Sequence, residues 1–307
     1  MESGTFTAPD GEIKTARQLI NWAARLFEKN RLHFGHGTNN ALDESVFMVL
    51  RSLGYSFDVP DEILDLDLDI RQKENVIERI RERITSRKPA AYILNEAWFA
   101  GLPFYVNEHV LVPRSPVAEL INERFAPWCE EDNLNNILDI GTGSGCIAVA
   151  TALEFPWSRV DAVDISVAAL AVAKINVACY GLQQRVNLIE SDLFQNLAGK
   201  KYDLVIANPP YVDEIDMAAL PQEYQHEPAG GLYAGATGLD VINPILEGAA
   251  NHLTENGIMI VETGNSREAL VRQYPDVPFL WLEFEHGGEG VFLLGRDELI
   301  KWFAGTV

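Results

Sequence analysis

The hydrophobic positions of roughly the first 90 residues repeat with the period of an α-helix. Over residues 14–29 they recur at i, i+3, i+4, i+7, i+10 and i+11, which places them on one helical face. These positions are Ala16, Leu19, Ile20, Ala23, Leu26 and Phe27. Residues 42–53 and 71–86 show the same kind of amphipathic pattern, and no strand pattern appears before about residue 97. We therefore predict a small N-terminal helical domain over residues 1–95.

Between residues 96 and 115 the pattern changes to aromatic and β-branched residues. Phe99, Phe104, Val106 and Val110 belong to this stretch, and the turn-forming Gly101-Leu102-Pro103 interrupts it. Short runs of this composition, separated by turn residues, are typical of paired strands. We predict a β-hairpin linker over residues 96–115, followed by a helix over about 116–125.

From residue 137 onwards, short apolar runs alternate with helical segments. Strands are predicted at residues 137–140, 159–163, 186–190, 203–207, 258–262, 280–284 and 290–294. This alternation favours a parallel sheet with helices on both faces. Gly287-Gly288, between the last two strands, indicates a tight antiparallel hairpin. The predicted fold class is therefore α/β, with a seven-stranded, doubly wound, Rossmann-like sheet in a domain over residues 116–307.

The charge of the chain restricts its partners. Its 307 residues carry a formal net charge of −21. A surface so acidic is repelled by phosphate backbones and attracts basic ligands. We therefore expect no direct binding to duplex nucleic acid, and we expect a preference for basic ligands.

The cysteines, histidines and termini indicate a protein of the cytoplasm. Cys129, Cys146 and Cys179 are odd in number and widely spaced, so neither a disulfide framework nor a zinc site is indicated. The histidines show no metal-ligand spacing, so no metal is expected. The polar amino terminus, 1–11, lacks a signal-peptide pattern, and no apolar run is long enough to cross a bilayer.

A glycine-rich loop follows the first predicted strand of the sheet. It reads Asp139-Ile140-Gly141-Thr142-Gly143-Ser144-Gly145 and opens a predicted helix. Glycines let a backbone approach a ligand closely, and the amino terminus of a helix offers free N–H groups. A dinucleotide fingerprint would need its third glycine at Cys146, which weakens the interpretation as a pyrophosphate site. The predicted cofactor contacts are Asp139, Gly141, Thr142, Gly143 and Gly145.

Acidic residues follow the next two predicted strands. Asp164 lies about 23 residues after Gly141, a position from which a carboxylate reaches the hydroxyl pair of a ribose. Asp192 follows the third strand, where its carboxylate is able to accept a hydrogen bond from an adenine amino group. Each aspartate is equally consistent with a helix cap or a turn. The further predicted cofactor contacts are Asp164, Ile165, Asp192 and Leu193.

The strand predicted at residues 203–207 leads into Asn208-Pro209-Pro210-Tyr211. The Asn208 side chain and the Pro209 carbonyl are acceptors, and the two prolines remove backbone donors. Such a rim suits a planar NH2 group, and ligands gather at the carboxyl ends of parallel strands. The same tetrapeptide is compatible with a simple turn. Because it accompanies three other strand-end motifs, we predict all four residues as catalytic, with Asn208 also touching the cofactor.

Together these motifs resemble class I S-adenosylmethionine-dependent methyltransferases, and within them the family that methylates the side-chain amide of glutamine in proteins. The loop that starts at Asp139 resembles the family's cofactor loop, Asp164 its ribose-binding residue and Asp192 its adenine-side residue. The motif at 208–211 resembles its substrate-amide motif. The resemblance implies S-adenosyl-L-methionine as cofactor, S-adenosyl-L-homocysteine as product, and a glutamine NH2 group held by the Asn208 oxygen and the adjoining proline carbonyl.

Two branches of this family act on different proteins of translation, peptide chain release factors and ribosomal large-subunit protein three. The release-factor branch usually follows its Pro-Arg pair with Pro-Asp/Glu-Thr-Glu, whereas Pro113-Arg114 here precedes Ser115-Pro116-Val117-Ala118-Glu119. This departure, with Gly35-His36-Gly37-Thr38-Asn39 and Asp43-Glu44, resembles the ribosomal-protein branch. The resemblance thus implies a basic ribosomal protein as the substrate.

Several alternatives stay open at this point. One is the same reaction on release factors. Another is methylation of the adenine amino group of nucleic acid, which the motif at 208–211 would fit equally well but the acidity of the chain disfavours. A third is a non-enzymatic assembly factor that binds a ribosomal protein. We interpret the helical domain as a substrate-recognition domain in preference to a structural cover. Arg114 either lies over the cofactor or pairs with an acidic neighbour. His226 is interpreted as a surface or capping histidine in preference to a substrate contact.

Overall fold

The structure is a computed structural model that describes residues 6–7, 13–130, 133–285 and 287–303. The chain divides into two compact units. The first contains the described residues up to Ala97 together with Pro221–His226. The second contains Trp98–Leu220 and the described residues from Glu227 onwards. Residues 221–226 fall within the larger predicted domain, whereas in the structure they belong with the helices.

The first unit is helical. Its helices are α1 (Ala16–Lys29), α2 (Ala41–Leu53), α3 (Asp61–Leu64), α4 (Ile70–Ser86) and α5 (Ala90–Leu94). The three helices predicted from periodicity are confirmed to within two residues. The sequence pattern does not predict α3 and α5, which begin directly after Pro60 and Pro89 and have 4 and 5 residues. Helices of about one turn are too short to show a repeated apolar spacing.

Two of the long helices begin with reciprocal caps. The side chain of Thr15 accepts a hydrogen bond from the Gln18 backbone, and the Gln18 side chain accepts one from the Thr15 backbone. Asp69 and Gln72 make the same pair of bonds at the start of α4. Each such capping box satisfies N–H groups that have no partner inside the helix.

A buried arginine lies at the centre of the first unit. Arg83 donates from Nε to Oε1 of Glu44 at 2.7 Å, and both side chains are enclosed. Glu223, from the segment 221–226, accepts a hydrogen bond from the backbone N–H of His33 at 3.0 Å and pairs with Arg87 at 3.2 Å. Although burial acts to raise it, the pKa of Glu223 is lowered, because these donors and the charge of Arg83 stabilise the carboxylate. The short segment is therefore an integral part of the helical unit.

The predicted linker hairpin is shorter than expected. Strands β1 (Ala97–Phe99) and β2 (Leu102–Phe104) form a two-stranded sheet, and residues 105–115 form no regular strand. Val106, Val110 and Val112 are buried without belonging to a strand. The prediction was wrong there because a buried apolar segment without regular structure contains the same residue types as a strand.

The second unit contains a mixed α/β sheet. Its strands are β3 (Asn136–Ile140), β4 (Arg159–Asp164), β5 (Val186–Glu190), β6 (Tyr202–Ala207), β7 (Leu253–Glu262), β8 (Leu280–Trp281) and β9 (Val291–Gly295). Its helices are α6 (Val117–Asn122), α7 (Cys146–Glu154), α8 (Val167–Cys179), α9 (Glu214–Ala219), α10 (Ile242–Ala249), α11 (Arg267–Gln273) and α12 (Arg296–Phe303).

In the described chain the seven strands have the order β5-β4-β3-β6-β7-β9-β8, and β9 runs antiparallel to both neighbours. The predicted α/β fold class is confirmed, although β8 ends at Trp281 and α6 ends three residues early. The antiparallel pairing of the last two strands is confirmed, but residues 282–290 separate β8 from β9, so Gly287-Gly288 does not form the predicted tight hairpin.

Apolar side chains cover both faces of this sheet. Ile137, Leu204 and Ile206 pack on one face against α6 and α7, and Leu138 and Val205 pack on the other against α10 and α12. This alternation follows the period of two along a strand.

The strand order also decides where a ligand binds. From β3 the chain proceeds outwards to β4 and β5 and then crosses back to β6 on the other side of β3. Open α/β sheets bind ligands at such a reversal, at the carboxyl ends of the strands. The segments that follow β3 and β6 are therefore neighbours at the expected site.

Candidate functional site

The glycine-rich loop and the Asn-Pro-Pro-Tyr motif come together at this reversal. Ile140 and Ala207, the last residues of β3 and β6, are paired in the sheet. A Cβ atom built on Gly141 would lie 3.8 Å from the carbonyl oxygen of Asn208. The two predicted motifs thus border the same space, and the exposed Gly141 faces it without a side chain.

The loop needs glycine for its backbone conformation as well. Gly141, Gly143 and Gly145 have φ values of +69°, +55° and +79°, in the region that disfavours residues with a Cβ atom. A Cβ atom on Gly145 would also lie 3.1 Å from that of Ala173 on α8. The helix α7 begins directly after the loop, so its first N–H groups lie beside the same space.

Asp139 carries a carboxylate with one unsatisfied oxygen. Its Oδ2 accepts hydrogen bonds from the Thr142 hydroxyl at 2.6 Å and from the Ala148 N–H at 3.2 Å. Its Oδ1 is buried without a hydrogen-bond partner in the described chain. Burial raises the pKa of Asp139 to about 7, against the effect of these two bonds. A cationic group at Oδ1 would stabilise the ionised form.

Asp164, the last residue of β4, is tied to the glycine-rich loop. Its Oδ2 accepts a hydrogen bond from the Gly143 N–H at 2.9 Å, and its Oδ1 accepts one from the Ser166 N–H at 2.8 Å. Burial raises the pKa of Asp164, opposed by the backbone donors. The neighbouring Ile165 is 70% exposed. This predicted pair of cofactor residues therefore lies directly beside the loop.

The other two predicted cofactor residues, Asp192 and Leu193, lie after β5. The strand ends at Glu190, so Asp192 stands two residues beyond it, and its side chain is exposed. Leu193 has a φ of +47°. A non-glycine residue in this left-handed region is strained by about 1–3 kcal/mol, and it occurs mostly where the surrounding structure holds it in place. The turn that presents Asp192 is thus held in a strained conformation.

The carboxamide of Asn208 has no hydrogen-bond partner among the described residues. Asn208 is half-buried directly after β6, and Pro209 behind it is buried. A half-buried amide that makes no internal bond is available to a ligand. Its oxygen can accept one hydrogen of an NH2 group, as can the carbonyl of Pro209.

Tyr211 is held tightly in place. Its hydroxyl donates to Oε1 of Glu262 at 3.0 Å, and its carbonyl accepts from the Ser266 hydroxyl at 2.7 Å. A Cβ atom on Gly264 would lie 2.4 Å from the Tyr211 ring, and one on Gly238 would lie 2.3 Å from the Tyr211 carbonyl oxygen. Two glycines therefore make room for this tyrosine. A cavity of about 220 Å³ lies beside it, lined by Tyr211, Val212, Asp216, Ala219, Leu220 and Asn265.

Sequence reasoning missed Glu262. It ends β7 and is 5% exposed. Besides Tyr211, it accepts a hydrogen bond from the Ser115 hydroxyl at 2.5 Å, and burial raises its pKa against the effect of these two donors. The signal was present in the sequence, because an acidic residue ends a buried strand here as it does at Asp164.

Comparisons with known proteins identify the family. The methyltransferase small domain model matches residues 123–223. A ribosomal protein uL3 glutamine methyltransferase of Francisella tularensis is 44% identical over 291 residues, which cover 94% of this chain and 93% of that protein. A protein of the same name from Neisseria gonorrhoeae is 45% identical over 96% of this chain and 99% of that protein. The chain belongs to the ribosomal protein uL3 glutamine methyltransferase family.

Solved structures resemble the chain more weakly. A methyltransferase from Pyrococcus furiosus is 17% identical with a TM-score of 0.45, over 64% of this chain and 89% of that one. Human methyltransferase 10 domain containing protein is 18% identical with a TM-score of 0.44, over 64% and 88%. The family assignment therefore rests on the two sequence relatives.

In this member of the uL3 glutamine methyltransferase family, Arg114 pairs with an acidic neighbour. Its Nη1 and Nη2 each lie 2.7 Å from an oxygen of Glu227, whose side chain is fully enclosed. The N–H of Val112 donates to the same carboxylate at 2.9 Å. Of the two alternatives for Arg114, the structure contains the ion pair.

His226 and the branch-like residues between Gly35 and Glu44 lie in the helical unit. The Nε2 atom of His226 is 2.8 Å from the carbonyl oxygen of Ser86, the last residue of α4, which agrees with the capping interpretation. The His36 ring lies 4.4 Å from that of Tyr224. Of the branch-like residues in this unit, His36 and Glu44 are buried, whereas Gly37, Asn39 and Asp43 are exposed.

The described residues contain neither a membrane-spanning helix nor a cluster of metal ligands. No helix there is long and apolar enough to cross a bilayer. No group of three or more potential ligands there is arranged to hold a metal ion. The three cysteines are unpaired.

Proposed function

We propose that this protein transfers a methyl group from S-adenosylmethionine to the side-chain amide nitrogen of a glutamine in ribosomal protein uL3. The two relatives that match nearly the whole chain carry this activity in their names. The observation that supports the chemistry best is the carboxamide of Asn208, which has no hydrogen-bond partner among the described residues and borders the glycine-rich loop.

The residues around the loop fit S-adenosylmethionine in charge and shape. The cofactor carries an ammonium group, which suits the unpartnered and buried Oδ1 of Asp139. Asp164 would hold the ribose hydroxyls, and Asp192 would hold the adenine amino group. When bound, the cofactor supplies an electrophilic methyl group on a sulfonium. The glycines allow its approach to the backbone without a Cβ atom in the way.

The protein's task is to make a weak nucleophile react. The lone pair of an amide nitrogen is delocalised into its carbonyl, as in the peptide bond. If the Asn208 oxygen and the Pro209 carbonyl each accept one hydrogen of the NH2 group, they orient the nitrogen and favour the build-up of charge on its lone pair. The Tyr211 ring covers the amide plane. A neutral acceptor pair suffices, because the surplus proton leaves after the transfer.

The acidity of the chain supports a basic protein as substrate. With a net charge of −21, the protein attracts a positively charged ribosomal protein and raises the rate of encounter. The cavity beside Tyr211 contains a carboxylate, Asp216, which suits a basic residue near the target glutamine. In this proposal the helical unit contributes to recognition of the substrate protein.

The direct test is the Asn208→Ala variant. We expect methyl transfer to uL3, measured with radiolabelled S-adenosylmethionine, to fall at least about 100-fold, because orienting acceptors of this kind are worth roughly that much. Cofactor affinity, measured by isothermal titration, should stay within about threefold. Asn251→Ala removes an exposed amide elsewhere and should leave both quantities unchanged. Full activity of Asn208→Ala would refute the proposed role.

The substrate is tested separately. Wild-type protein is incubated with uL3, with a release factor and with an adenine-containing oligonucleotide, and the added mass is mapped to a residue by mass spectrometry. We expect a methyl group on one glutamine of uL3. Methylation of the release factor or the oligonucleotide alone would overturn the proposed substrate while leaving the methyl-transfer activity in place.

The cofactor assignment has its own test. We expect Asp164→Ala to weaken S-adenosylmethionine binding at least tenfold, because the variant loses the proposed ribose acceptor and a hydrogen bond to the loop. Asp297→Ala, an exposed aspartate at the start of α12, is the matched control. Unchanged affinity in Asp164→Ala would count against the ribose role.

A further inference from the structure

A second pocket of the α/β unit lies at the amino ends of the parallel strands, opposite the candidate functional site at their carboxyl ends. Its volume is about 580 Å³, within the range of small-molecule sites. It is built where β3, β4, β5 and β6 begin, whereas the motifs described above follow the ends of these strands. Its lining residues are Asn136, Arg159, Val160, Asp161, Gln183, Gln184, Arg185, Val186, Asn187, Lys200, Lys201 and Tyr202.

The lining is basic in a strongly acidic protein. It contains four cations, Arg159, Arg185, Lys200 and Lys201, and one carboxylate, Asp161. The chain as a whole has 24 lysines and arginines against 45 aspartates and glutamates. A pocket with an excess of cations is therefore an exception to the general charge of this surface.

The single carboxylate is already fully occupied. Asp161 accepts hydrogen bonds from the Lys200 Nζ at 2.7 Å, the Tyr202 hydroxyl at 2.7 Å and the Asn187 Nδ2 at 3.0 Å. Although burial acts to raise it, these donors hold the pKa of Asp161 below its usual value. Asp161 thus balances Lys200 and leaves the other three cations without a counter-charge.

Those three cations have no carboxylate partner among the described residues. The Nη1 atom of Arg185 donates to the carbonyl oxygens of Ala152 and Phe155 at 2.5 and 3.2 Å, and Lys201 donates to the carbonyl oxygen of Asn251 at 2.8 Å. Arg159 is exposed and forms no ion pair there. Carbonyl oxygens orient these groups but do not neutralise them.

We propose that this basic pocket binds a phosphate group, carried by a nucleotide or by an RNA strand. Guanidinium groups match the geometry of phosphate oxygens, and lysines add point charges. The amide side chains of Asn136, Gln183 and Gln184 supply neutral donors around them. A bound phosphate would supply the negative counter-charge that the three unpaired cations lack among the described residues. The inference does not depend on the proposed methyl transfer.

The test compares two double variants of the full chain. Arg159→Gln with Lys201→Gln removes one arginine and one lysine from the pocket. Arg71→Gln with Lys174→Gln removes the same two residue types from exposed positions outside it. Arg185 is left intact, because it also binds the carbonyl oxygens of Ala152, in α7, and Phe155, directly after that helix.

The probes are inorganic phosphate, AMP, a fluorescein-labelled 12-nucleotide single-stranded RNA and an acidic peptide, each titrated at 50 mM NaCl. We expect the pocket variant to bind the phosphate probes at least tenfold more weakly than wild type, and the control variant to stay within twofold. Salt dependence of RNA binding should also decrease in the pocket variant. AMP binding as tight as RNA binding would identify a nucleotide pocket, and tight binding of RNA alone would identify a strand-binding site.

Three results would overturn the inference. These are absence of binding for every phosphate probe, equal binding by the two double variants, or an acidic peptide that binds the pocket as tightly as the phosphate probes. Methyl transfer to uL3 by the pocket variant is measured in parallel and should stay within twofold of wild type. Failure of the phosphate site is thereby distinguished from failure of the proposed enzyme activity.

Discussion

The hydroxyl of Tyr211 lies 3.0 Å from Oε1 of Glu262, so the last residue of the Asn-Pro-Pro-Tyr motif is anchored to a buried carboxylate on the neighbouring strand. The second oxygen of that carboxylate is bound by Ser115, which follows the Pro-Arg pair. Elements far apart in sequence therefore fix the ring that we propose to cover the substrate amide.

A double-mutant cycle tests whether Glu262 acts through Tyr211. We expect Tyr211→Phe and Glu262→Gln each to lower kcat about tenfold with little change in cofactor affinity, because each disturbs the same hydrogen bond. The effects should be non-additive, with a coupling of about 1 kcal/mol or more. Additive losses in the kinetics of the double variant would show that Glu262 has only a separate structural role.

Gly264 is predicted to be intolerant of a side chain. In Gly264→Ala the new Cβ atom would meet the Tyr211 ring at 2.4 Å, so we expect a loss of about 1–3 kcal/mol in stability and a clear fall in kcat. Gly181→Ala is a matched control, because its φ of +67° is similarly unfavourable and no atom lies within 4 Å of the added Cβ. Equal activity in the two variants, measured beside their urea unfolding, would contradict this role of Gly264.

The buried Asp139 should make stability depend on pH. Its pKa is raised from 3.8 to about 7 by burial, so its contribution to stability is fully present below about pH 3.8 and is lost as the pH rises through about 7. Asp139→Asn removes this titration. We expect the stability of the variant relative to wild type, measured by urea unfolding without cofactor, to increase by about 2–3 kcal/mol from pH 5 to pH 8.

The control for this experiment is an exposed aspartate. Asp297→Asn, at the start of α12, removes an exposed carboxyl group and is measured beside Asp139→Asn at both pH values. A pH-independent difference between Asp139→Asn and wild type would show that the carboxyl group of Asp139 is not perturbed.

The ion pair inside the helical unit should be necessary for its stability. Glu44→Gln removes the carboxylate 2.7 Å from the enclosed Arg83 and leaves it only the more distant Glu223 at 3.7 Å, and we expect a loss of about 3–5 kcal/mol in the free energy of unfolding. Glu78→Gln breaks an exposed pair with Arg81 and should cost less than about 1 kcal/mol. Similar unfolding curves for the two variants would be inconsistent with this difference in burial.

The sequence predicted the parts of the fold that repeat and missed those that depend on single contacts. Apolar periodicity located α1, α2 and α4, and the strand-end rule located the glycine-rich loop, Asp164 and Asn208. The remaining features depend on contacts between residues that are distant in sequence. Nothing in the local sequence indicates that Glu223 completes the helical unit or that Arg114 pairs with Glu227, because their partners are more than a hundred residues away.

The same limit applies to the site. The motif at 208–211 was recognisable because its four residues are contiguous. Ser115 carried no such signal and Glu262 only that of an acidic residue at the end of a buried strand, because both join the motif only when the chain folds. The basic pocket was hidden in the same way, since its cations come from three separate segments of an acidic chain.

The segment Pro221–His226 has a consequence for engineering this family. The chain leaves the α/β unit after Leu220, supplies these residues to the helical unit and returns at Glu227. A shortened protein that begins at Trp98 would keep Glu223 but lack the arginines that bind it. A chimaera that replaces the helical unit of this protein therefore needs to exchange two pieces of chain, because the unit consists of two segments that are far apart in sequence.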